Sequence, residues 1–293
     1  MPGSKKKTIL IQLDADDQPS AFDRVVAIDA GVDEVFSYSG VTIDQVQALV
    51  HGAIFTRGGK SLRRTAIFVG GTDVGTGEQM LEQVRSSFFG PLSVSVMMDA
   101  NGANTTAAAA VLSAARHLDL SSITALVLAG TGPVGQRAAR LLARQGAAVR
   151  LASRSQQRAD AAAGAINHAV TGKHVRACTT QDDQQLRDAT GGADLIICAG
   201  AAGVELLAAD VLAAAASIKV AIDLNAVPPL GIEGVQVTAE AAKVGHVIAY
   251  GAIGVGRLKM RIHKAAITSL FESNDRVLDA EQIYELGKEQ VAK

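Results

Sequence analysis

The sequence predicts an α/β protein of two domains, one of Rossmann type and one smaller α/β domain, with a ligand cleft between them. Three observations predict it. Short apolar runs alternate with longer helical patterns, as in a parallel sheet covered by helices. At 293 residues the chain exceeds the size of most single cores. A turn of the G-x-G-x-x-G type, Gly130-Thr131-Gly132-Pro133-Val134-Gly135, joins one apolar run to a helical pattern.

The elements follow in order. Candidate strands of the first series are Thr8–Leu13, Val35–Tyr38, Ala53–Thr56, Thr65–Val69 and Ser93–Met98. Between and after them lie the helical patterns Thr42–His51, opened by the capping-box spacing of Thr42 and Gln45, Glu78–Phe88 and Thr105–His117. The last of these is Ala-rich and sits at the expected seam near residues 100–120, where it reads as a stiff connector. A second series of strands follows at Thr124–Ala129, Ala148–Ala152, His174–Cys178, Ala193–Cys198, Ile218–Ile222 and His246–Ala249, with a helix at Pro133–Gln145. The final pattern, Asp279–Val291, is expected to fold back on the first domain.

Composition removes several classes of function. Hydrophobic residues make up 48% and charged residues 19%, and 28 Lys and Arg stand against 29 Asp and Glu, so neither disorder nor a general nucleic-acid or acidic-membrane binder is expected. The Lys5-Lys6-Lys7 run is expected to be a solvated, frayed end. Aromatics are 3% with no Trp, which argues against base stacking. Two cysteines, Cys178 and Cys198, are too few for a disulfide framework and read as reduced core thiols; the six histidines form no ligand-spaced cluster, so no metal is expected. Without a signal h-region or a convincing apolar span, the chain is expected to be soluble, cytoplasmic and without membrane association.

The glycine turn carries the chemistry. Gly130 permits the tight turn, Gly132 lets a pyrophosphate approach the backbone and Gly135 lets helix and strand pack closely, while Thr131, Pro133 and Val134 place the helix N-terminus beneath the phosphates. Strand, turn, helix and second strand fit within Thr124–Arg154, the length of one βαβ unit. Where a ribose-binding carboxylate is usual, the chain has Ser153-Arg154, with Arg158 four residues beyond. On a helix N-terminus these arginines share a face suited to a 2′-phosphate, favouring NADP over NAD by roughly tenfold to hundredfold from charge-assisted bonds of about 1.5–3 kcal/mol. Ala199-Gly200 and Asn225 follow later strands and are candidate nicotinamide-ribose contacts.

Other motifs are set aside. Arg57-Gly-Gly-Lys60-Ser61 lacks the leading glycine of a nucleoside-triphosphate loop, and Gly70–Gly77 follows a strand without anion-loop spacing. Tyr284 and Lys288 have the spacing of short-chain dehydrogenases but lie in the last helix. The G-x-S-x-G elbow is absent.

Seven segments, in order along the chain, resemble one family. Leu13-Asp-Ala-Asp-Asp-Gln-Pro-Ser-Ala-Phe-Asp23, Phe55-Thr-Arg-Gly-Gly-Lys60, Ala66-Ile-Phe-Val-Gly-Gly71, Met98-Asp-Ala-Asn-Gly-Ala-Asn-Thr-Thr-Ala-Ala108, Leu128-Ala-Gly-Thr-Gly-Pro-Val-Gly135, Asp223-Leu-Asn-Ala-Val-Pro-Pro-Leu-Gly-Ile232 and Leu258-Lys-Met-Arg-Ile-His263 are similar to segments of the NADP-dependent methylene-tetrahydromethanopterin dehydrogenases of methylotrophic bacteria. Some members of that family also use methylene-tetrahydrofolate.

The resemblance implies a pterin-substrate domain of residues 1–104 with 272–293, a Rossmann NADP domain of residues 105–271, and a homo-oligomer, trimer or hexamer. It implies oxidation of the N5,N10-methylene bridge to the methenyl cation by direct hydride transfer. Lys259 corresponds to a lysine beside the pterin. Asp99, Asn101, Asn104, Thr105 and Thr106, after a strand end, have edges suited to a pterin amide, and Asp14, Asp16 and Ser20 are placed to reach the same ligand. Asn104 or Thr105 equally suits a helix N-cap, and the three residues of the first loop equally suit turn and capping roles. The selector segment departs from the best-known branch, which carries Gly-Arg-Lys and a later Lys; Ser155 lacks one positive charge, so a weaker NADP preference is expected. Two other readings are a methylene-tetrahydrofolate dehydrogenase, with or without cyclohydrolase activity, and a catalytically idle NADP-binding redox sensor.

Overall fold

A computed structural model describes residues 6–172 and 174–291. Lys5 of the basic run lies outside them; Lys6 and Lys7 are exposed. The chain folds as two compact units, one running to Thr105 and resuming at Met260, the other Thr106–Lys259.

The first unit contains β1 (Ile9–Leu13), α1 (Ala21–Asp29), β2 (Glu34–Tyr38), α2 (Ile43–Phe55), β3 (Thr65–Val69), α3 (Val74–Ser86), β4 (Ser95–Met98) and the start of α4 (Ala103–Ala115). The second contains β5 (Thr124–Leu128), α5 (Pro133–Arg144), β6 (Ala148–Ser153), α6 (Gln156–Val170), β7 (Val175–Thr179), α7 (Asp183–Thr190), β8 (Leu195–Cys198), α8 (Ala209–Ala214), β9 (Val220–Asp223), β10 (Ala242–Val244), β11 (Val247–Tyr250) and the first part of α9 (Ala252–Ser269). The chain then adds β12 (Val277–Leu278) and α10 (Ala280–Val291) to the first unit.

In the first unit the strands lie in the order β12-β4-β3-β1-β2, every pair parallel. All five residues of β3 are buried, as a central strand covered on both faces requires. Ser20 caps α1, Asp73 caps α3, and the Thr42–Gln45 capping box opens α2. The expected strand at Ala53–Thr56 is instead the last turn of α2. Its buried residues Val46, Val50, Ala53 and Ile54 recur with helical spacing, and that period outweighs the short apolar run.

In the second unit the order is β10-β11-β9-β8-β5-β6-β7, parallel except for the β10–β11 hairpin. Counted from β5, the parallel strands run third, second, first, fourth, fifth, sixth. This is the doubly wound dinucleotide-binding order, and its crevice opens where β5 and β8 part company.

Two helices carry the chain between units. Ala107–Val111 and Ala114 of α4 are completely buried, so the Ala-rich helix in which the chain changes unit is at the same time a core helix. Within α9 the change of unit falls at residue 260, not near 272, because Ile262, Ala266, Ile267 and Leu270 are buried core residues. Among the described residues no helix is long and apolar enough to cross a membrane.

Candidate functional site

The glycine turn of the second unit leaves the end of β5 through Ala129, a non-glycine residue at φ 52. Such a conformation costs on the order of 1 kcal/mol and is held by its surroundings. The three glycines then do different things. A Cβ on Gly130 would stand 2.8 Å from Leu151 Cγ and 2.9 Å from the Val127 carbonyl, and one on Gly135 would stand 2.8 Å from Gly130 Cα, so both are demanded by packing of turn, strand and helix. A Cβ on Gly132 meets nothing closer than 3.6 Å. Packing therefore leaves Gly132 free, and the space above it suits an approaching phosphate.

The N-terminus of α5 points into that space. Pro133 opens the helix and no side chain caps Gly132, whereas Ser155 and Asp182 cap α6 and α7. The Gln136 amide steadies the turn by donating to the Thr131 carbonyl at 2.8 Å. The uncapped N–H groups of the first turn and the helix dipole suit an anion. Ala199 follows β8 opposite the turn, its carbonyl 3.9 Å from the same Gly132 position, and at Gly200 a Cβ would collide with Leu206. The residues Gly130 to Gly135 with Ala199 and Gly200 thus converge on the crevice.

The selector segment is arranged differently from its expectation. The N-cap of α6 is Ser155, whose hydroxyl accepts from the Arg158 N–H, so Arg154 precedes the helix and does not share a helical face with Arg158. Both arginines are exposed, and the Gln181 amide holds the Arg154 carbonyl at 2.8 Å. Ser153 is buried and accepts from the Ser155 N–H.

Asn225 is spent on its own loop. Its amide accepts from the Gly203 and Val227 N–H groups and donates to the Pro229 carbonyl. Beneath it Asp223 accepts from the N–H groups of Asn225 and Ile232, both at 3.0 Å. Burial raises the Asp223 carboxyl above the ordinary range against the pull of these donors. Neighbouring Cys198 is pushed up to about 12 by burial and by that carboxylate, which leaves it an inert thiol.

In the first unit the predicted polar residues are mostly loop builders. Asp14 is buried at the end of β1 and accepts from the Asp16 and Ser20 N–H groups. Asp16 in turn accepts from the N–H and hydroxyl of Thr72, tying together the loops after β1 and β3. Ser20 caps α1. After β4, buried Asp99 accepts from both the N–H (2.9 Å) and the hydroxyl (2.6 Å) of Thr105. Asn104 and Thr105 therefore lie inside the first turn of α4, and the carboxylate that serves it comes from Asp99, ahead of the helix. The Asn104 amide donates to the Met98 carbonyl and to Asp279. Asn101 is exposed at φ 51, and Thr106 is half-buried.

Sequence reasoning passed over His263. Its ring is wholly buried, stacked on Phe68 at 5.8 Å, with Nδ1 3.9 Å from Asp99. The available signal was its place one helical turn after Lys259 in an apolar stretch of α9. Lys259 itself is half-buried. Asp223 and Thr72 were also missed, being isolated polar residues at strand and loop ends. Tyr284 is buried and pushed up to about 12, with Lys288 5.1 Å from its ring centre, the opposite of an activated phenol. Among the described residues no group of three or more His, Cys, Asp or Glu side chains is placed to hold a metal ion.

Comparison with known proteins adds three findings. Residues 21–101 match the family described as methylene-tetrahydromethanopterin dehydrogenase, N-terminal. Two proteins of Methylorubrum extorquens are similar over nearly their whole lengths. One, named bifunctional protein MdtA, is 47% identical, covering 97% of this chain and 99% of that one. The other, named NAD(P)-dependent methylenetetrahydromethanopterin dehydrogenase, is 32% identical, covering 92% and 94%. In fold the chain is similar to quinate dehydrogenase of Corynebacterium glutamicum solved with NAD (TM-score 0.53, 15% identity, 97% and 99% covered). It is equally similar to shikimate 5-dehydrogenase of Listeria monocytogenes (TM-score 0.54, 11% identity, 96% of each chain).

Proposed function

The chain belongs to the methylene-tetrahydromethanopterin dehydrogenases, and from that premise we propose that it oxidises N5,N10-methylene-tetrahydromethanopterin to the methenyl form in cytoplasmic one-carbon metabolism, with NADP as the hydride acceptor. The observation that carries the reading is the uncapped glycine turn, in which Gly132 alone is left free by packing. It fits a dinucleotide pyrophosphate. When bound, the cofactor supplies a nicotinamide carbon that takes the hydride.

The second unit is then the cofactor domain. Its Gly130–Gly135 backbone holds the pyrophosphate, Ala199 and Gly200 flank the nicotinamide ribose, and Asn225 shapes the neighbouring loop. Arg154 and Arg158, approaching from loop and helix rather than from one face, are the grip on the 2′-phosphate, with Ser153 beneath. The first unit is the pterin domain. There Asp14, Asp16, Ser20 and Asp99 hold the loops after β1 and β4 in shape; Asn101 lies on the second of these loops, and Asn104, Thr105 and Thr106 follow it in the first turn of α4. Lys259 positions the pterin. The methenyl product is stabilised by its own two nitrogens, so acid–base residues have little to do and orientation supplies most of the acceleration.

Initial rates of methenyl formation test this, with methylene-tetrahydromethanopterin and methylene-tetrahydrofolate each paired with NADP and NAD. Turnover of the first pterin with NADP is expected; absence of turnover despite cofactor binding defeats the reading. The folate substrate, the alternative that the family resemblance implies, is the second to assay. Replacing both Arg154 and Arg158 by Ala is expected to cut the NADP-over-NAD preference tenfold to hundredfold. Lys259→Ala is expected to lower kcat far more than NADP affinity.

A further inference from the structure

In a doubly wound sheet a dinucleotide lies across the carboxyl ends of the strands, one half on each side of the switch point. In the second unit the selector residues follow β6, so the adenosine half belongs on that side and the other half over the ends of β8 and β9. Both of those strands run into irregular chain. Residues 199–208 separate β8 from α8, and residues 224–241, between β9 and β10, are loop and turn. Such loops have no ladder or helix to hold them, and their shape has to come from particular bonds.

The two loops are fastened to each other at both ends. At the near end Asn225 accepts from the Gly203 N–H at 3.4 Å and from the Val227 N–H at 2.9 Å, and donates to the Pro229 carbonyl at 3.0 Å. At the far end the Gly231 carbonyl accepts from the N–H groups of Leu206 at 2.9 Å and Leu207 at 3.1 Å, and Leu207 and Ile232 form a parallel bridge.

One residue serves both fastenings. Asp223, the last residue of β9 and 1% exposed, accepts from the Asn225 N–H through one carboxylate oxygen and from the Ile232 N–H through the other. The first of these oxygens and Cys198 Sγ also occupy the space beside Gly231, where a Cβ would stand 2.6 Å from each. A buried carboxylate divided between two points of one loop fixes their separation, because neither donor has water to turn to.

We infer that Asp223 is a positioning residue for the nicotinamide end of NADP: acting through Asn225 and Gly231, it orders the loops after β8 and β9 as the seat of that end before the cofactor arrives. The inference rests on the reading of the Gly130–Gly135 turn as the pyrophosphate site. Its physical content is preorganisation. A seat already in shape costs the ligand nothing to order, whereas one released from Asp223 is ordered at the moment of binding and holds the reacting carbon loosely. On the same reading the pyrophosphate and 2′-phosphate are met elsewhere, by the α5 N-terminus and by Arg154 and Arg158, so loss of Asp223 is felt at one end of the cofactor.

The test compares two ligands on the full chain by titration calorimetry. One is NADP; the other is 2′-phospho-ADP, which keeps the adenosine, 2′-phosphate and pyrophosphate and lacks the nicotinamide and its ribose. Asp223→Asn sets an amide N–H against one of the two backbone donors, and is expected to raise the Kd of NADP about tenfold while that of 2′-phospho-ADP stays within about twofold of wild type. Asn225→Ala frees the near end alone and leaves the bond from Ile232 to Asp223 in place. It is expected to shift the same ratio by a smaller factor, and it decides the matter should Asp223→Asn fail to fold. An NADP Kd that either folded variant leaves unchanged, or a loss that both ligands share equally, overturns the inference while the glycine-turn site stands. A wild type that binds neither ligand removes the glycine-turn reading itself, and the inference with it.

Discussion

The two units end their strands in loops of opposite construction. Where β5 gives way to α5 the chain removes side chains: Gly130 and Gly135 let backbones touch, and Gly132 leaves open space. Where β1 and β4 end, in the other unit, the chain supplies buried carboxylates, and Asp14 and Asp99 are saturated with N–H and hydroxyl donors from their own loops. The difference follows from the ligands proposed for the two units. A pyrophosphate is alike in every dinucleotide and is met by N–H groups and a helix dipole, so the site is made by absence. One particular pterin is met by loops of one particular shape, and shape is held by side chains that never touch the ligand.

The sharpest way to break this comparison lies in the first unit. Asp99→Ala strands the buried N–H and hydroxyl of Thr105, and is expected to cost about 3 kcal/mol, read as a lower denaturant midpoint at unchanged slope, while cofactor affinity stays as it was. Unchanged stability would show that the carboxylate is no loop builder. The complementary change is Gly132→Ala. Its backbone, at φ −76, accepts any residue and its Cβ has room, so stability is expected to move by less than about 0.5 kcal/mol while the cofactor Kd rises about tenfold or more. Gly135→Ala, driven into Gly130, is expected to lower both stability and cofactor affinity.

That contrast also governs what could be read from residues alone. The glycine turn was legible because its spacing states a backbone geometry, and the parallel sheets covered by helices followed from apolar runs separated by helical ones. The role of Asp99 was not, since a carboxylate after a strand reads equally as ligand contact or as cap, and only three-dimensional pairing with Thr105 decides. Arg154 and Arg158 do not share the helical face that their four-residue spacing implied, because Ser155 is the cap and the helix begins at Gln156, two residues beyond Arg154. The α4 segment was legible as a helix at the seam, but its burial was not: Ala favours helix whether the helix is buried or solvated, and what surrounds it is not written in its composition. His263 was passed over for a related reason. Its surroundings, Phe68 from β3 and Asp99 from the end of β4, come from distant parts of the chain.

The smallest effect concerns how the second unit tolerates acid, and it comes from a side chain in neither loop. His117 Nε2 lies 2.7 Å from the Tyr250 hydroxyl. Although much of the residue meets solvent, burial of the ring, and then the nearby Arg116, holds the imidazole below its ordinary value of 6.5. In the unfolded chain that restraint is gone. Below about pH 6.5 the unfolded state therefore binds more protons than the folded one, and the stability contributed by neutral His117 is lost as pH falls from there toward the lowered folded value. Solvent screens the effect, so the expected difference in Tm between pH 7.5 and 5.5 is on the order of one degree. Substituting His117→Gln should remove that part of the slope while leaving both ligand loops untouched. A variant that keeps the full wild-type acid slope would move its origin to the carboxylates of the first unit, the loops that the comparison makes dependent on charge.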